Sequence, residues 1–542
     1  MTRTGMRNSM SDITSEIKKR RTFAIISHPD AGKTTLTEKF LLYGGAINLA
    51  GSVKGKKTAK HAVSDWMEIE KERGISVTSS VLQFNYDGYC INILDTPGHE
   101  DFSEDTYRTL MAADSAVMVI DASKGVEKQT IKLFKVCVMR HIPIFTFINK
   151  MDREANDPFE LLDEIENVLG ISTCPINWPI GCGKEFKGVY DRKQREVSLF
   201  KAAMNGQKEV ATKNIALDAP ELKAEIGDAY LEKLDEDVEL LDGASAEFDL
   251  AKVQAGDLTP VFFGSALTNF GVETFLQHFL DMTTSPLPRN SSEGLIDPFK
   301  EDFSAFVFKI QANMNKAHRD RIAFMRICSG KFTAGMEANH VQGGKKIRLS
   351  QPQQMMAQER HIVEEAYAGD IIGVFDPGIF SIGDTICSSN KKFMFDGIPT
   401  FAPEHFARVR QIDTMKRKQF IKGISQIAQE GAIQIFQEYN TGMEEIIVGV
   451  VGVLQFEVLE YRLKNEYNVD IKLETLPYEH IRWIENPQEV DVNRIVGTSD
   501  MKKIKDLKGN PLLVFATSMK VKWKLKLNSI LLIRINKIDN EK

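Results

Sequence analysis

Apolar runs of strand length alternate with segments of helical spacing over the first half of the chain. The strand-like runs cover residues 22–27, 81–86, 90–95, 116–121, 142–148 and 260–265. Between them, segments such as Thr106–Ala112 and Glu127–Met139 repeat apolar residues at helical spacing. Alternating strands and helices are typical of α/β proteins, whose helices cover a largely parallel sheet. We therefore predict a doubly wound, mostly parallel sheet within residues 1–285.

A long stretch interrupts this alternation, because the chain from about 155 to 258 exceeds what one crossover helix requires. It contains Trp178–Gly181, Gly188–Asp191 and the acidic segment Glu232–Glu247. We interpret this stretch as an insertion within the first domain. The segment Thr284–Ser292, which contains Pro and Ser, then predicts a linker.

The pattern changes after this linker to short strand-like segments separated by Gly, Asp and Asn turns. These segments are Phe303–Ile310, Arg321–Ser329, Gln358–Ile362, Ile371–Phe375 and Asp384–Cys387. Many short strands with frequent turns are typical of a small barrel. We therefore predict a β-barrel domain at 286–398.

Helical and strand-like segments mix again in the last part of the chain. Lys416–Glu430 and Leu454–Lys464 have helical spacing, and Ile446–Val451 is strand-like. We predict an α+β domain at 399–542. The last stretch, Lys520–Lys542, alternates Lys with apolar residues. A half-buried strand, a basic amphipathic surface segment and a tail unrelated to the rest of the fold all fit this pattern.

Composition narrows the class of protein. The 542 residues carry a formal net charge of −6, and local basic clusters such as 54–61 and 416–418 are more often solvated faces than binding sites. No run reaches the roughly 18 to 20 apolar residues of a membrane span, and the N-terminus lacks the apolar core of a secretion signal. Six scattered cysteines favour reduced thiols. We expect a monomeric cytoplasmic protein of roughly three domains, with no membrane partner.

The first candidate for chemistry is a loop between the strand-like run 22–27 and a helix-like segment. Its residues are Ser27, His28, Pro29, Asp30, Ala31, Gly32, Lys33 and Thr34. A bend at the end of a strand turns successive backbone N–H groups toward one point, where they bind phosphate oxygens. Lys33 adds a positive charge at the outer phosphates, and the Thr34 hydroxyl is a ligand for Mg²⁺. Ser27 stands where the common phosphate-loop pattern has Gly, and an ordinary strand–turn–helix is the alternative.

Three more segments follow strand-like runs. They are Asp95, Thr96, Pro97, Gly98 and His99; Asn149, Lys150, Met151 and Asp152; and Ser265, Ala266 and Leu267. Asp95 is placed to hold the hydration shell of Mg²⁺, and Gly98 lets a backbone N–H reach a γ-phosphate. Asp152 can accept from the ring N–H and the exocyclic amine of guanine, a pair that adenine lacks, and a backbone N–H of Ser265–Leu267 can reach the guanine oxygen. Because ligands bind beyond the carboxyl ends of the strands of such sheets, the four segments together predict a site for GTP or GDP.

These motifs resemble those of the translational GTPases. The resemblance implies that the hydroxyl of Ser76 reaches Mg²⁺ beside Thr34 and Asp95 when the γ-phosphate is present, at a position where Thr is usual in the family. It also implies that His99 is the catalytic residue and places a water in line with the γ-phosphorus. His28 is interpreted as a packing or orienting residue. We expect weak hydrolysis by the chain alone and stimulation by a large partner.

Among these GTPases, the order of the domains is similar to the first part of elongation factor G. Four strings resemble the peptide chain release factor 3 family more closely, namely Ser27–Thr34, Trp178–Gly181, Phe186–Tyr190 and Val450–Val458. The chain ends before the two further domains of elongation factor G, which also favours this family. The resemblance covers about residues 20–510, and Met519–Lys542 does not match it.

The resemblance implies a GTPase of translation termination. Such a factor binds the ribosome, both rRNA and ribosomal proteins, and promotes the departure of codon-recognising release factors after peptide release. The sequence has no Gly-Gly-Gln tripeptide, as expected of a factor that does not itself release the peptide. Three alternatives stay open: a truncated translocase-like or ribosome-protection GTPase, a nucleotide-gated regulatory binding module, and a damaged gene product with a poorly packed last domain.

Overall fold

A computed structural model describes most of the chain. The described residues are 12–45, 77–200, 212–312, 321–349, 352–356, 359–388, 392–398, 400–439, 446–484, 488, 491–495, 498–517 and 533–534. Ser76 and the basic cluster at 54–61 lie outside them, and so does the last stretch except residues 533–534.

The first domain is built around a sheet that has seven strands in the described part of the chain. The strands of this domain are β1 (Arg20–Ser27), β2 (Ser80–Tyr86), β3 (Tyr89–Asp95), β4 (Ser115–Asp121), β5 (Ile144–Asn149), β6 (Ser172–Pro175), β7 (Asn177–Ile180), β8 (Gly188–Asp191), β9 (Glu196–Phe200), β10 (Thr212–Ala216) and β11 (Leu258–Phe263). The main sheet has the order β2-β3-β1-β4-β5-β11-β6. Every neighbouring pair except β2-β3 is parallel. β1, β4, β5 and β11 are buried along their whole length, as expected when helices cover both faces of a parallel sheet.

Helices alternate with these strands. They are α1 (12–18), α2 (Lys33–Tyr43), α3 (Ser103–Leu110), α4 (Lys128–Met139), α5 (Pro158–Leu169), α6 (Pro220–Ile226), α7 (Asp228–Ala244), α8 (Leu250–Ala255) and α9 (Val272–Met282). Local sequence explains where they begin and end. In α5, the Asp157 side chain accepts from the backbone N–H groups of Phe159 and Glu160, Pro158 occupies the first turn, and Gly170 ends the helix with a φ of 71°. The helices that the structure describes include none long and apolar enough to span a bilayer.

A separate antiparallel sheet with the order β10-β9-β8-β7 lies within the predicted insertion. Trp178 of β7 contacts Phe159 and Phe263, with ring centroids 4.5 and 5.3 Å apart, and so packs this sheet against the main one. β6 falls within the predicted limits of the insertion but joins the main sheet. The limits given for the insertion and for the three domains stay predictions.

The second domain consists of antiparallel strands around one apolar core. Its strands are β12 (Arg289–Ser291), β13 (Gly294–Ile296), β14 (Ser304–Ala312), β15 (Arg321–Ser329), β16 (Lys331–Thr333), β17 (Glu337–His340), β18 (Lys345–Arg348), β19 (Gln353–Met356), β20 (Glu359–Ile362), β21 (Glu365–Tyr367), β22 (Ile371–Phe375) and β23 (Thr385–Cys387). Over the described residues, the main sheet has the order β18-β17-β23-β14-β15-β22-β19-β20, and β12-β13 and β16-β21 form ribbons. Val307, Met325 and Ile372 of neighbouring strands meet in the core, which is how a barrel packs.

The third domain places two helices on an antiparallel sheet. The strands are β24 (His405–Gln411), β25 (Gln434–Glu438), β26 (Ile446–Val450), β27 (Ile471–Leu476), β28 (His480–Ile484), β29 (Met501–Asp506), β30 (Pro511–Phe515) and β31 (Ile533–Arg534), and the helices are α10 (Arg417–Gln429) and α11 (Leu454–Tyr467). In the described part the sheet has the order β27-β24-β26-β25-β29-β30-β28-β31. Phe420 and Ile424 of α10 and Leu459 of α11 pack on Val448 of the sheet. The short β31 pairs with β28, so this part of the last stretch is a strand.

Two buried ion pairs join the second domain to the first. Arg326 of β15 pairs with Asp114, which precedes β4. Arg20 Nε lies 3.1 Å from Oδ2 of Asp370, which precedes β22. All four side chains are buried, and the loss of one partner from a buried pair leaves an uncompensated charge. These pairs therefore join the two domains across a buried contact.

Candidate functional site

The loop between β1 and α2 forms the first wall of the site. Asp30 and Gly32 have left-handed backbone conformations, with φ of 66° and 99°, and turn the chain sharply before α2 begins at Lys33. Gly32 is required because L side chains rarely adopt this φ and because a Cβ there would collide with the Asn149 amide. The buried residues of the loop are Ser27, Ala31 and Lys33. The first N–H groups of a helix have no acceptor within it, so the start of α2 favours an anion here.

A buried ion pair lies beside this loop. The Lys33 ammonium contacts the Asp95 carboxylate at the end of β3, and the two side chains are 7% and 2% exposed. β1 and β3 are neighbours with Ile25 opposite Asp95, and the Thr96 hydroxyl donates to the Ile25 carbonyl at 2.7 Å. Thr34 follows Lys33 in α2 and is partly buried. The structure thus brings Lys33, Thr34 and Asp95 to the same end of the sheet.

The segment after β3 packs directly against the phosphate loop. A Cβ on Gly98 would lie 3.5 Å from Pro29 Cα, so the two backbones are close neighbours. His99 then caps a short turn, because its Nδ1 accepts from the backbone N–H of Asp101 at 3.3 Å. Its ring meets the Phe102 ring at a centroid distance of 6.2 Å. With 36% of its side chain exposed, His99 is accessible to water.

His28 has a different environment within the loop. Its Nε2 lies 3.3 Å from Glu127 Oε1, and its Nδ1 is buried without a hydrogen-bond partner among the described residues. Glu127 immediately precedes α4. The contact ties the phosphate loop to the start of that helix. Glu127 is absent from the sequence prediction, since nothing local relates it to a loop about a hundred residues away.

Asn149 at the end of β5 joins the phosphate loop to the loop after β11. Its Nδ2 donates to the Ala31 carbonyl at 2.8 Å, and its Oδ1 accepts from the Ala266 N–H at 2.8 Å. Three residues later, Asp152 Oδ1 accepts from Ser265 Oγ at 2.5 Å. The two loops predicted to contact guanine are therefore bound to each other as well as to the phosphate loop.

Lys150 is held by a carboxylate that the sequence prediction did not include. Its Nζ lies 2.5 Å from Asp121 Oδ2 at the end of β4, and Ser123 donates to Asp121 Oδ1 from both its N–H and its hydroxyl. Burial by itself would raise the pKa of Asp121, but the hydrogen bonds from Lys150 and Ser123 lower the pKa below its ordinary value. The position of Asp121 at the end of a buried strand is the signal that could have identified it. Met151 is buried and Leu267 is 43% exposed.

The predicted site residues in the described part of the chain thus lie at the carboxyl ends of β1, β3, β5 and β11 or in the residues that follow. Three family models match the chain in succession. They are Elongation factor Tu GTP binding domain at 18–285, Elongation factor G domain 2 at 302–389 and Class II release factor RF3, C-terminal domain at 395–525. A protein of Symbiobacterium thermophilum named peptide chain release factor 3 is 58% identical over 525 residues, which are 97% of this chain and 99% of that protein. The chain belongs to the peptide chain release factor 3 family.

Other members of the release factor 3 family show similar agreement. The peptide chain release factor 3 of Listeria innocua is 54% identical over 516 residues, which are 94% of this chain and 97% of that protein. A crystal structure from Thermus thermophilus matches 86% of this chain and 70% of its own, with a TM-score of 0.67 and 21% identity. The predicted family, the prediction of a translational GTPase and the fold class are confirmed: an α/β P-loop GTPase domain is followed by a β-barrel domain and an α+β domain.

The C-terminal domain of the chain packs against the turn that His99 caps. Asp101 Oδ2 accepts from the Leu454 N–H at the start of α11, at 2.8 Å. A Cβ on Gly452 would collide with Asp101, so the two segments approach as closely as a glycine allows. An apolar cluster beside this contact contains Val77, Phe102 and Val458. The segment after β3 therefore contacts the phosphate loop on one side and the C-terminal domain on the other.

A buried ionic cluster extends this contact. Arg108 donates to the Gly431 carbonyl at 3.1 Å and pairs with Glu104 at 2.5 Å. Arg462 binds both oxygens of Glu430, at 2.9 and 3.0 Å. Burial raises the pKa of Glu104 and of Glu430, against the lowering effect of these arginines. The four charged side chains line a cavity of about 50 Å³ where the three domains meet.

Proposed function

We propose that this chain is a ribosome-stimulated GTPase that promotes dissociation of codon-recognising release factors from the ribosome after peptide release, and so recycles them. The observation that carries the proposal is that Asn149 joins the phosphate loop, Ser27–Thr34, to the two base loops, which are Asn149–Asp152 and Ser265–Leu267. It occurs in a chain that matches release factor 3 along nearly its whole length. We assign the activity to a monomer in the cytoplasm that contacts rRNA and ribosomal proteins.

The phosphates of GTP or GDP are assigned to the loop Ser27–Thr34. Backbone N–H groups and the dipole of α2 favour negative charge there. The Lys33 ammonium contacts the Asp95 carboxylate in the structure, and it turns to the outer phosphates when nucleotide binds. The Asp95 carboxylate thus already accepts a cation, and with the hydroxyls of Thr34 and Ser76 it offers the oxygen ligands that Mg²⁺ prefers. These groups would hold Mg²⁺, which would neutralise negative charge on the outer phosphates.

Asp152 is assigned to the selection of guanine. Its carboxylate accepts from the ring N–H and the exocyclic amine of the base, and the bond from Ser265 Oγ fixes its orientation. The guanine oxygen is assigned to the Ala266 N–H. This N–H donates to Asn149 Oδ1 in the structure. When nucleotide binds, it must therefore either donate to both oxygens or move from Asn149 to the guanine oxygen.

His99 is assigned as the catalytic residue. Hydrolysis requires a water in line with the γ-phosphorus and little covalent help from the protein. Because Nδ1 accepts from the Asp101 N–H, the neutral ring carries its proton on Nε2. An Nε2–H donates to a water oxygen and does not take its proton. In this tautomer His99 therefore positions the water.

Asp101 is assigned to transmit the nucleotide state. A γ-phosphate that binds the Gly98 N–H moves the segment after β3. Asp101 lies three residues after Gly98 in this segment, and its carboxylate accepts from the Leu454 N–H. The C-terminal domain then changes its position with the nucleotide, which is how an ordered switch segment reaches distant parts of a GTPase.

Recycling of a codon-bound release factor from ribosomes tests the proposal. The wild type should displace that factor and then leave on GTP hydrolysis. His99→Ala should bind GTP as the wild type does and displace the factor, and then remain on the ribosome. Its single-turnover hydrolysis should be slower by about 10²- to 10³-fold, the usual contribution of one preorganised hydrogen-bond donor. His480→Ala, which changes a partly exposed histidine in β28, is the matched control.

The other outcomes separate the alternatives. Loss of GTP binding in His99→Ala would contradict the role given to this residue. Equal hydrolysis with and without ribosomes would favour a nucleotide-gated regulatory binding module. Translocation in a reconstituted system that lacks elongation factor G would favour a translocase-like or ribosome-protection GTPase.

A further inference from the structure

The insertion contacts one loop that is assigned to guanine and the end of the strand that leads into the other. The Gly183 N–H donates to the Met151 carbonyl at 2.8 Å, and the Asn177 side chain binds the backbone of Phe263 at the end of β11. We propose that Asn177 is a positioning residue for guanine recognition, because it fixes the end of β11. The inference rests on the proposed function of Asp152 as the group that selects the base.

Asn177 continues the hydrogen bonding of the main sheet at the point where the strand pairing stops. β6 pairs with β11 as far as Pro175, opposite Val261, and the chain then leaves the main sheet to form β7. Asn177 Oδ1 accepts from the Phe263 N–H at 2.7 Å, and Nδ2 donates to the Phe263 carbonyl at 3.0 Å. Asn177 is 0% exposed, so water does not replace these bonds when the amide is removed. One side chain therefore satisfies both backbone groups of the last residue of β11.

The residues directly after Phe263 bind the loop that contains Asp152. The Gly264 carbonyl accepts from the Met151 N–H at 3.2 Å, and Ser265 Oγ donates to Asp152 at 2.5 Å. A displacement of Phe263 is thus passed within two residues to the carboxylate assigned to guanine. The phosphate loop is linked to this segment more remotely, through Asn149, which binds the Ala31 carbonyl and the Ala266 N–H.

Asn177 is itself held by the insertion. The neighbouring Trp178 is 1% exposed and donates from Nε1 to Asp237 Oδ2 of α7 at 2.9 Å. Its ring also contacts the Phe263 ring. β7 therefore has fixed contacts to α7 on one side and to the end of β11 on the other, which is the rigid support that a positioning residue requires.

The ratio of GDP affinity to IDP affinity, measured on the full chain, tests the inference. Hypoxanthine lacks the exocyclic amine, so IDP loses one of its two bonds to Asp152, whereas its phosphates are those of GDP. The wild type should prefer GDP. Asn177→Ala should weaken GDP binding by about tenfold, which corresponds to about 1.4 kcal/mol, and IDP binding by less, so the ratio should fall. Asn177→Asp, which keeps an acceptor for the Phe263 N–H, should give an intermediate ratio.

Asn92→Ala is the matched control. Asn92 lies in β3 and is another asparagine of the first domain that is 0% exposed. Its Nδ2 donates to the hydroxyl of Thr22 in β1 at 3.2 Å. This variant should lose thermal stability and keep the wild-type ratio. An unchanged ratio in Asn177→Ala, or an equal fall in Asn92→Ala, would overturn the inference. So would a failure of both Asn177 variants to fold where Asn92→Ala folds. A wild type that binds GDP and IDP equally would instead overturn the role of Asp152.

Discussion

Replacement of Gly452 by alanine should separate the C-terminal domain from the segment after β3. Gly452 does not have a left-handed backbone, so alanine adopts its conformation without strain. The added Cβ would nevertheless collide with Cα, Cβ and Cγ of Asp101. Because one of these atoms belongs to the backbone, a change of side-chain rotamer does not relieve the collision. We therefore expect the contact between Asp101 and Leu454 to open.

Two contributions set the size of this effect. The hydrogen bond from the Leu454 N–H to the Asp101 carboxylate is 2.8 Å long, and a bond to a charged group contributes about 1.5–3 kcal/mol. Partial exposure of the apolar cluster of Val77, Phe102 and Val458 adds about 1 kcal/mol for every 40 Å². A total of about 3 kcal/mol shifts the equilibrium between the closed and the open contact of the C-terminal domain by about a hundredfold.

Amide hydrogen exchange measures this opening directly. Leu454 begins α11, where an N–H has no acceptor within the helix, so its protection depends on Asp101. Exchange at Leu454 should be about a hundredfold faster in Gly452→Ala, and exchange in β4 should be unchanged. Gly243→Ala is the control, because a Cβ on Gly243 meets nothing within 4 Å. Exchange at Leu454 that is equal in wild type and Gly452→Ala would refute the argument that this close approach requires a glycine.

Further predictions concern the site and its support. Gly32→Ala should abolish GTP binding because its Cβ collides with Asn149; equilibrium dialysis that finds wild-type affinity would disprove this. The lowered pKa of Asp121 means that its contribution to stability is complete above about pH 4 and is lost as the pH falls through the folded pKa. The free energy of unfolding, measured with urea, should therefore fall less between about pH 6 and about pH 3 in Asp121→Asn than in the wild type. Arg462→Met should destabilise the chain by about 3–5 kcal/mol, because Glu430 loses its buried cation; an unchanged Tm would count against this role.

Much of the fold was predictable because local pattern carries it. The predicted strands Arg321–Ser329 and Ile371–Phe375 coincide with β15 and β22, since runs of apolar residues between turns leave few other conformations. The motif residues were predictable for the same reason. A polar residue that ends a largely buried strand, such as Asp95 or Asn149, lies at the edge of a parallel sheet wherever the strand is placed.

The sequence by itself therefore determined many of the strands and helices and the residue types at their ends, including those of the loop Ser27–Thr34 and the carboxylate at Asp152. Only the tertiary structure decided which distant groups meet. Asn177 binds Phe263 across 86 residues, and Asp101 binds Leu454 across 353. Local pattern holds no information over such separations. These contacts arise because packed strands and helices leave particular backbone N–H and C=O groups buried, and each must find a partner from whatever segment lies beside it.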